Sequence, residues 1–137
     1  MSSGYSGTPL IKKLGIKDGF SIKIINEPPH YEELVGELPP AVERVDNQAE
    51  QVDFVHLFTK SLDEYERLLP SIKSSLKPAG IIWISWPKKA SKVATDLTED
   101  IIRQIALSHG LVDVKVCAVD DTWSGLKLVI PVKDRNA

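Results

Sequence analysis

The stretch "DFVHLFTKSLDEYERLLPSIKSSLKPAGIIWISWP", residues 53–87, decides the fold of this chain. The mostly apolar run at residues 52–59 is typical of a buried parallel strand. "SLDE", residues 61–64, is a capping box and predicts a helix to about residue 76. "KPAG", residues 77–80, predicts a turn, and the most apolar run, residues 81–86, predicts a central strand. A strand, a helix and a strand in this order imply two parallel strands joined by a crossover.

The segment before this unit predicts a similar alternation of helices and strands. "TPLIKKL", residues 8–14, predicts a short helix with Thr8 as its N-cap. Residues 20–25 then alternate as a strand, a helix follows at about residues 30–38, and residues 41–45 predict a brief second strand.

The segment after the unit predicts a closing hairpin. Residues 98–110 have helical periodicity, residues 112–118 alternate as a strand, and "DDTWSG", residues 120–125, predicts a turn before a final strand at residues 126–132. We therefore predict an α/β fold, a three-layer Rossmann-like sandwich with a mostly parallel sheet of about six strands and an antiparallel C-terminal β-hairpin. Residues 1–137 are expected to form a single domain, with residues 1–7 as a mobile lead.

Charge, apolar runs and cysteine content argue against several classes of function. The chain has 137 residues and a formal net charge of −2, and its sequence has no strong basic patch of the kind that duplex DNA binders use. No apolar run reaches the roughly 20 residues that span a bilayer. "MSSGYSG", residues 1–7, lacks the features of a signal peptide, so we expect a cytoplasmic protein. The single cysteine, Cys117, excludes an internal disulfide, and no histidine pair has metal-ligand spacing, so no metal site is expected.

Residues 53–87 resemble the fourth-strand, helix, fifth-strand unit of class I S-adenosylmethionine (SAM)-dependent methyltransferases, in which a "D-x-V … L-K-P-G-G-x-L-x-I" pattern is usual. "LGIKDGFSIKII", residues 14–25, resembles the lead into their first strand. More narrowly, "GYSGTPLIKKLGI", "WPKKAS" and "GLVDVKVCAVDDTWSGLK" resemble an uncharacterised bacterial family of domains of unknown function. The resemblance implies a shortened methyltransferase-like fold and implies almost nothing about activity.

The connection after the first strand departs from the methyltransferase pattern. In "SIKIINEPPHYEEL", residues 21–34, Pro28 and Pro29 stand where those enzymes have a glycine-rich loop, and they remove two backbone N–H donors. One strand–helix unit before residue 52 is also missing. Asp46 remains, about twenty residues after the first strand, where an acid binds a ribose hydroxyl in nucleotide-binding folds, although acids are common in polar loops. We therefore predict no cofactor and disfavour SAM.

Unusual polar residues follow several predicted strands. Ligands of open parallel sheets bind at the carboxyl ends of the strands, so these residues are expected to share one edge. "WPKKAS", residues 86–91, suits an anionic group with an indole stacking surface, but a solvated lysine pair explains it as well. "DDTWSG" suits a cation or a general base, but an Asp-rich turn explains it as well. The predicted ligand-binding residues are Asn26, Glu27, His30, Trp86, Lys88, Lys89, Ser91, Asp120, Asp121, Trp123 and Ser124.

A third interpretation pairs Lys88 or Lys89 with Asp120 or Asp121 across the edge. His56 lies inside an apolar strand and is predicted to be a hydrogen-bonded core residue.

Three functions remain open at this point. The first is a non-catalytic methyltransferase-like module that binds a small anionic ligand or a protein partner, with no catalytic residue and no nucleic acid or membrane partner. The second is a small SAM-dependent methyltransferase with an atypical cofactor loop. The third is a structural or oligomeric subunit, since Lys23 and the short "VERV" leave a thinly covered flank that suits pairing in a homo-oligomer.

Overall fold

A six-stranded sheet with helices on both faces forms the core of the computed structural model, which describes residues 9–135. None of the helices in this range combines the length and the apolar character that crossing a bilayer requires. The helices and strands, in chain order, are α1 (Leu10–Leu14), β1 (Ser21–Ile25), α2 (Tyr31–Val35), β2 (Glu43–Arg44), β3 (Val52–Phe58), α3 (Leu62–Ser74), β4 (Leu76–Pro87), α4 (Glu99–Ser108), β5 (Val112–Ala118) and β6 (Trp123–Val129).

The strand order in the sheet is β2-β1-β3-β4-β6-β5. Strands β1 to β4 are parallel, whereas β6 lies between β4 and β5 and is antiparallel to both. The predicted fold class, with its mostly parallel sheet and antiparallel C-terminal hairpin, is confirmed. The chain moves outward in one direction from β1 to β2 and in the other direction from β3 to β4, so the sheet has a topological switch point between β1 and β3.

Each face of the sheet has its own apolar core. On the face of α1 and α2 the core includes Leu14, Phe54 and Trp83, and the Trp83 indole Nε1 donates a hydrogen bond to the Leu14 carbonyl at 2.8 Å. On the other face, α3 and α4 pack through residues such as Tyr65 and Ile102. Half of the predicted capping box forms at the start of α3, because Ser61 Oγ accepts a hydrogen bond from the Glu64 N–H at 3.1 Å. The reciprocal bond is absent, since the Ser61 N–H donates to Thr59 Oγ1 instead of to the Glu64 carboxylate.

Three predicted boundaries are wrong. Helix α2 ends at Val35 rather than at about residue 38, because the next residue, Gly36, has a positive φ of 74°. "KPAG" is not a turn before β4 but part of it, and the pairing partners jump from Val52–Leu76 to Phe54–Ile81 across this irregular stretch. "DDTWSG" is only partly a turn, since β6 begins at Trp123.

The outer strand β5 is less buried than its alternating valines predicted. Val114 and Val116 are 52% and 45% exposed, because β5 is an edge strand and its register shifts between Asp113 and Lys115. The predicted N-cap Thr8 and the predicted mobile lead at residues 1–7 lie outside the described residues.

A buried histidine joins three elements of the fold. His56 on β3 is fully buried, and its ring nitrogens hydrogen-bond the Tyr31 hydroxyl of α2 at 3.1 Å and the Ser85 hydroxyl of β4 at 2.8 Å. The imidazole also stacks on Phe58 with ring centroids 4.2 Å apart. Burial lowers the pKa of His56 to about 3, so the ring is neutral at pH 7. The prediction of a hydrogen-bonded core histidine agrees with this geometry.

The low pKa of His56 predicts acid sensitivity. Below pH 6.5 the unfolded chain protonates this ring and the folded chain does not, so the free energy of unfolding falls as the pH drops from 6.5 towards 3. The contribution of His56 approaches about 1.4 kcal/mol per pH unit within that window. We expect His56→Gln to lose this slope when both proteins are unfolded in urea at several pH values. Equal slopes for the two proteins would contradict the assignment.

Candidate functional site

A crevice opens between the carboxyl ends of β1 and β3, at the topological switch point of the sheet. Its volume is about 430 Å³. Doubly wound sheets bind ligands outside the carboxyl ends of their strands at this point. We call it the switch crevice. Its lining residues are Asn26, Phe58, Thr59, Lys60, Ser61, Asp63, Glu64, Arg67 and Trp123.

Asn26 forms the sharp turn that follows β1. Its φ of 58° lies in the left-handed region, which asparagine tolerates better than most non-glycine residues. Its side-chain Nδ2 donates a hydrogen bond to the Phe58 carbonyl at 3.1 Å and so joins the ends of β1 and β3. Pro28 and Pro29 come after the turn, and the Pro28 carbonyl accepts the N–H of Tyr31 at the start of α2. The prolines therefore do not replace the residue that turns the chain.

The opposite wall of the switch crevice is polar and charged. Thr59 Oγ1 donates a hydrogen bond to Glu64 Oε1 at 2.5 Å, which holds the Glu64 carboxylate over the start of α3. Lys60 and Arg67 are exposed cations at this wall. An aromatic boundary completes it, since Trp123 meets Phe58 edge-to-face with centroids 5.1 Å apart. The crevice thus offers carboxylates, cations, hydroxyl groups and an indole to a ligand.

A histidine–aspartate pair lies at the same edge of the sheet. His30 Nε2 is 2.7 Å from Asp120 Oδ2, and the two side chains are 43% and 13% exposed. Asp120 is itself held in place, because its Oδ1 accepts the N–H groups of Thr122 and Trp123 at 2.8 and 2.7 Å. Within residues 9–135, Nδ1 of His30 has no hydrogen-bond partner. The pair therefore presents an oriented imidazole with one ring nitrogen available.

A second cavity, of about 590 Å³, lies under the loop that follows β4. Ser91 shapes this loop, since its hydroxyl donates to the Lys88 carbonyl at 2.7 Å and accepts the N–H of Val93. Lys92 then turns the chain with a φ of 62°. We call this space the lysine cavity. Its lining includes Trp86, Lys88, Lys89, Lys92, Thr95, Thr98 and Ser124.

The structure divides the predicted site residues between these places. Those in contact with a candidate site are Asn26 and Trp123 in the switch crevice, His30 and Asp120 in the oriented pair, and Trp86, Lys88, Lys89 and Ser124 in the lysine cavity. The others line neither space: Glu27 pairs with Arg44, Ser91 stabilises its own loop, and Asp121 is exposed in the turn.

The predicted lysine–aspartate pairing across the edge is wrong for the described residues. Asp120 pairs with His30 instead, and only the backbone of Lys88 contacts this turn, where its N–H donates to the Thr122 carbonyl at 2.8 Å. The geometry explains the difference, because the two N–H groups that bind Asp120 Oδ1 turn its second oxygen towards the β1 side of the sheet.

The predicted site residues omit much of the lining of these two spaces, including Glu64, Arg67 and Lys92. Glu64 and Arg67 line the switch crevice from the first turns of α3, and their helical spacing of three residues indicates a shared face. Lys92 joins the lysine cavity because of the left-handed turn at that residue, for which a lysine gives no local signal.

Comparisons with known proteins support the fold. A SAM-dependent methyltransferase from Aquifex aeolicus is 16% identical with a TM-score of 0.59, over 89% of this chain and 88% of that one. Precorrin-6y C5,15-methyltransferase from Geobacter metallireducens is 11% identical with a TM-score of 0.63, over 88% and 85% of the two chains. Fibrillarin from Aeropyrum pernix, with natively bound SAM, is 14% identical with a TM-score of 0.56, over 88% and 72%. No family model and no curated protein matches the chain.

These comparisons correct one prediction. The expectation that this chain takes no cofactor is contradicted, because the structures that share its fold include methyltransferases and a protein with natively bound SAM. The physical reason lies in the turn after β1. The expectation assumed that Pro28 and Pro29 occupy the tight turn, whereas Asn26 makes it. A methyltransferase-like fold is therefore established, and the narrower resemblance to a bacterial family stays a prediction.

The contacts of Asp120 predict distinct effects for two substitutions. Asp120→Ala leaves two backbone N–H groups without an acceptor, so we expect the free energy of unfolding to fall by about 1–3 kcal/mol. Asp120→Asn keeps an acceptor oxygen and should cost less. His30→Ala removes only an exposed partner and should cost less than about 1 kcal/mol. Urea denaturation measures all three, and equal losses for the Ala and Asn variants would contradict this role of Oδ1.

Proposed function

We propose that this chain is a small SAM-dependent methyltransferase that binds its cofactor at the switch crevice. One observation carries the proposal: an open crevice of about 430 Å³ lies at the topological switch point, between the carboxyl ends of β1 and β3. The volume is in the range of small-molecule sites. The fold that this chain shares with known methyltransferases supports the same assignment.

The residues present fit the cofactor's chemistry. SAM carries an ammonium and a carboxylate on its methionine part and a ribose diol between the sulfonium and the adenine. The switch crevice provides carboxylates for the ammonium and cations for the carboxylate, and Asn26 adds an amide. Asp46 comes one residue after the backbone pairing of β2 with β1 and is exposed, so its carboxylate suits the ribose hydroxyls. When bound, SAM supplies an electrophilic methyl group.

His30 is the residue that we assign to proton transfer. Methyl transfer to a hydroxyl or an amine requires the acceptor to lose a proton, and an imidazole oriented by a carboxylate is a common general base. Asp120 holds His30 by Nε2, which leaves Nδ1 to take that proton. Asp120 is a positioning residue in this scheme.

A second candidate function is a module that binds SAM or its product without transferring the methyl group. The connection after β1 favours it, because Pro28 and Pro29 provide no N–H donors and the strand–helix unit after β2 is absent. Production of S-adenosylhomocysteine separates the two candidates. A methyltransferase produces it when SAM is supplied with a low-molecular-mass cell extract, and His30→Gln should reduce the rate, whereas a binding module produces none.

Cofactor binding is tested directly by isothermal titration with SAM. We expect saturable binding, and we expect Asp46→Ala to weaken it about ten-fold because one charged hydrogen bond to the ribose is lost. Asp134→Ala is the matched control: it removes the same charge from an exposed turn that follows β6 rather than β2, and it should leave the affinity unchanged. Trp123 lines the crevice, so its fluorescence should change on binding, and Trp123→Phe should abolish the change.

Two results would overturn the proposal. One is the absence of saturable heat with SAM at millimolar concentration. The other is equal weakening by Asp46→Ala and Asp134→Ala, since this would trace the effect to net charge rather than to a site that follows β2.

A further inference from the structure

The lysine cavity concentrates positive charge on one side of the loop after β4. Lys88, Lys89 and Lys92 all line it, and within residues 9–135 none of their ammonium groups makes a hydrogen bond or an ion pair. The only carboxylate in the lining belongs to Glu99, which is bound by Arg103. Three uncompensated cations around one cavity create a local positive potential in a chain whose net charge is −2.

Some other cations of the described chain are paired with carboxylates. Arg44 binds Glu27, Lys77 binds Asp53, and Arg103 binds Glu99 and Asp113. The three lysines lie within a span of five residues on a single loop, and each lines the cavity. The Ser91 hydroxyl fixes the first turn, and the left-handed residue Lys92 sends the chain back over the cavity.

The lysine cavity and the switch crevice are neighbours. Thr95 lines the cavity and donates a hydrogen bond through Oγ1 to the carbonyl of Lys60, which lines the crevice, at 2.7 Å. The first two residues of β6 also divide between them, with Trp123 in the crevice and Ser124 in the cavity. A molecule held in the cavity therefore lies beside a ligand in the crevice.

We propose that the lysine cavity binds a phosphate group of the methyl acceptor, so that the acceptor is a small phosphorylated molecule. The identification of the bound molecule as the methyl acceptor rests on the proposed function. The binding of a phosphate group at the lysine cavity does not depend on it. Lysine ammonium groups bind phosphate as point charges, and three of them match the two negative charges of a phosphate monoester or the greater charge of a diphosphate. A cavity of about 590 Å³ holds a metabolite.

The test is titration with inorganic pyrophosphate in the absence of SAM. We expect saturable binding that weakens with added salt and that becomes at least about ten-fold weaker in the triple variant K88A/K89A/K92A. The matched control is K17A/K115A/K133A, which removes the same total charge from residues that do not line the cavity. It should change the affinity by less than about two-fold. Equal weakening by both triple variants, or no binding of pyrophosphate, overturns the site.

Two further measurements separate this inference from its alternatives. SAM affinity should be unchanged in K88A/K89A/K92A, since the cofactor is assigned to the other space, and binding of pyrophosphate without binding of SAM would retain the anion site while refuting the methyltransferase. A single-stranded oligonucleotide is the competing source of phosphate. If it binds through the three lysines and pyrophosphate does not, the small-molecule acceptor is refuted.

Discussion

The structure depends on a neutral histidine that is buried between its layers. His56 can remain in the core only if both ring nitrogens are hydrogen-bonded, because burying an unpaired polar group costs about 2–7 kcal/mol. Tyr31 and Ser85 meet that demand from α2 and from β4. The first residue of α2 is thereby tied to the sheet, and the connection from β1 must reach it within five residues. That short connection contains both Asn26 and His30, so the buried hydrogen bonds position the polar groups at the sheet edge.

The antiparallel strand β6 contributes a residue to each of the two spaces. Because β6 runs against β4, its first residues pair with the last residues of β4, Trp123 with Pro87 and Ser124 with Trp86. Successive residues of a strand point to opposite faces of the sheet. Trp123 therefore packs towards the core of α1 and α2, and Ser124 lies with Trp86 towards the core of α3 and α4. If β6 were parallel to β4, its last residues rather than its first residues would lie at this edge of the sheet.

The sequence predicts the layers well and the local geometry poorly. Apolar runs report burial, so the sequence correctly predicts a buried parallel strand at residues 52–59 and a central strand at residues 81–86. Burial depends on the position of a strand as well as on its composition, and the valines of β5 therefore predicted more burial than an edge strand has. Backbone conformation is harder still to predict. Asparagine tolerates the left-handed region, but this tolerance alone does not place the turn at Asn26, and nothing local marks Lys92 as left-handed. These two residues nevertheless shape the switch crevice and the lysine cavity.

One strand–helix unit of the methyltransferase-like fold is missing between β2 and β3. The loop between these two strands covers the face of β1 instead. Lys23 is only 3% exposed on that face, and its ammonium donates a hydrogen bond to the Ala49 carbonyl at 2.8 Å. Burial lowers the pKa of Lys23, and the nearby carboxylates of Asp46 and Glu50 counteract that shift. The loop between β2 and β3 is thus fastened over β1 by a charge rather than by a packed helix. The backbone pairing of β2 with β1 places Asp46 beside β1. Strand β2 is only two residues long, so it offers little backbone for pairing with a second copy.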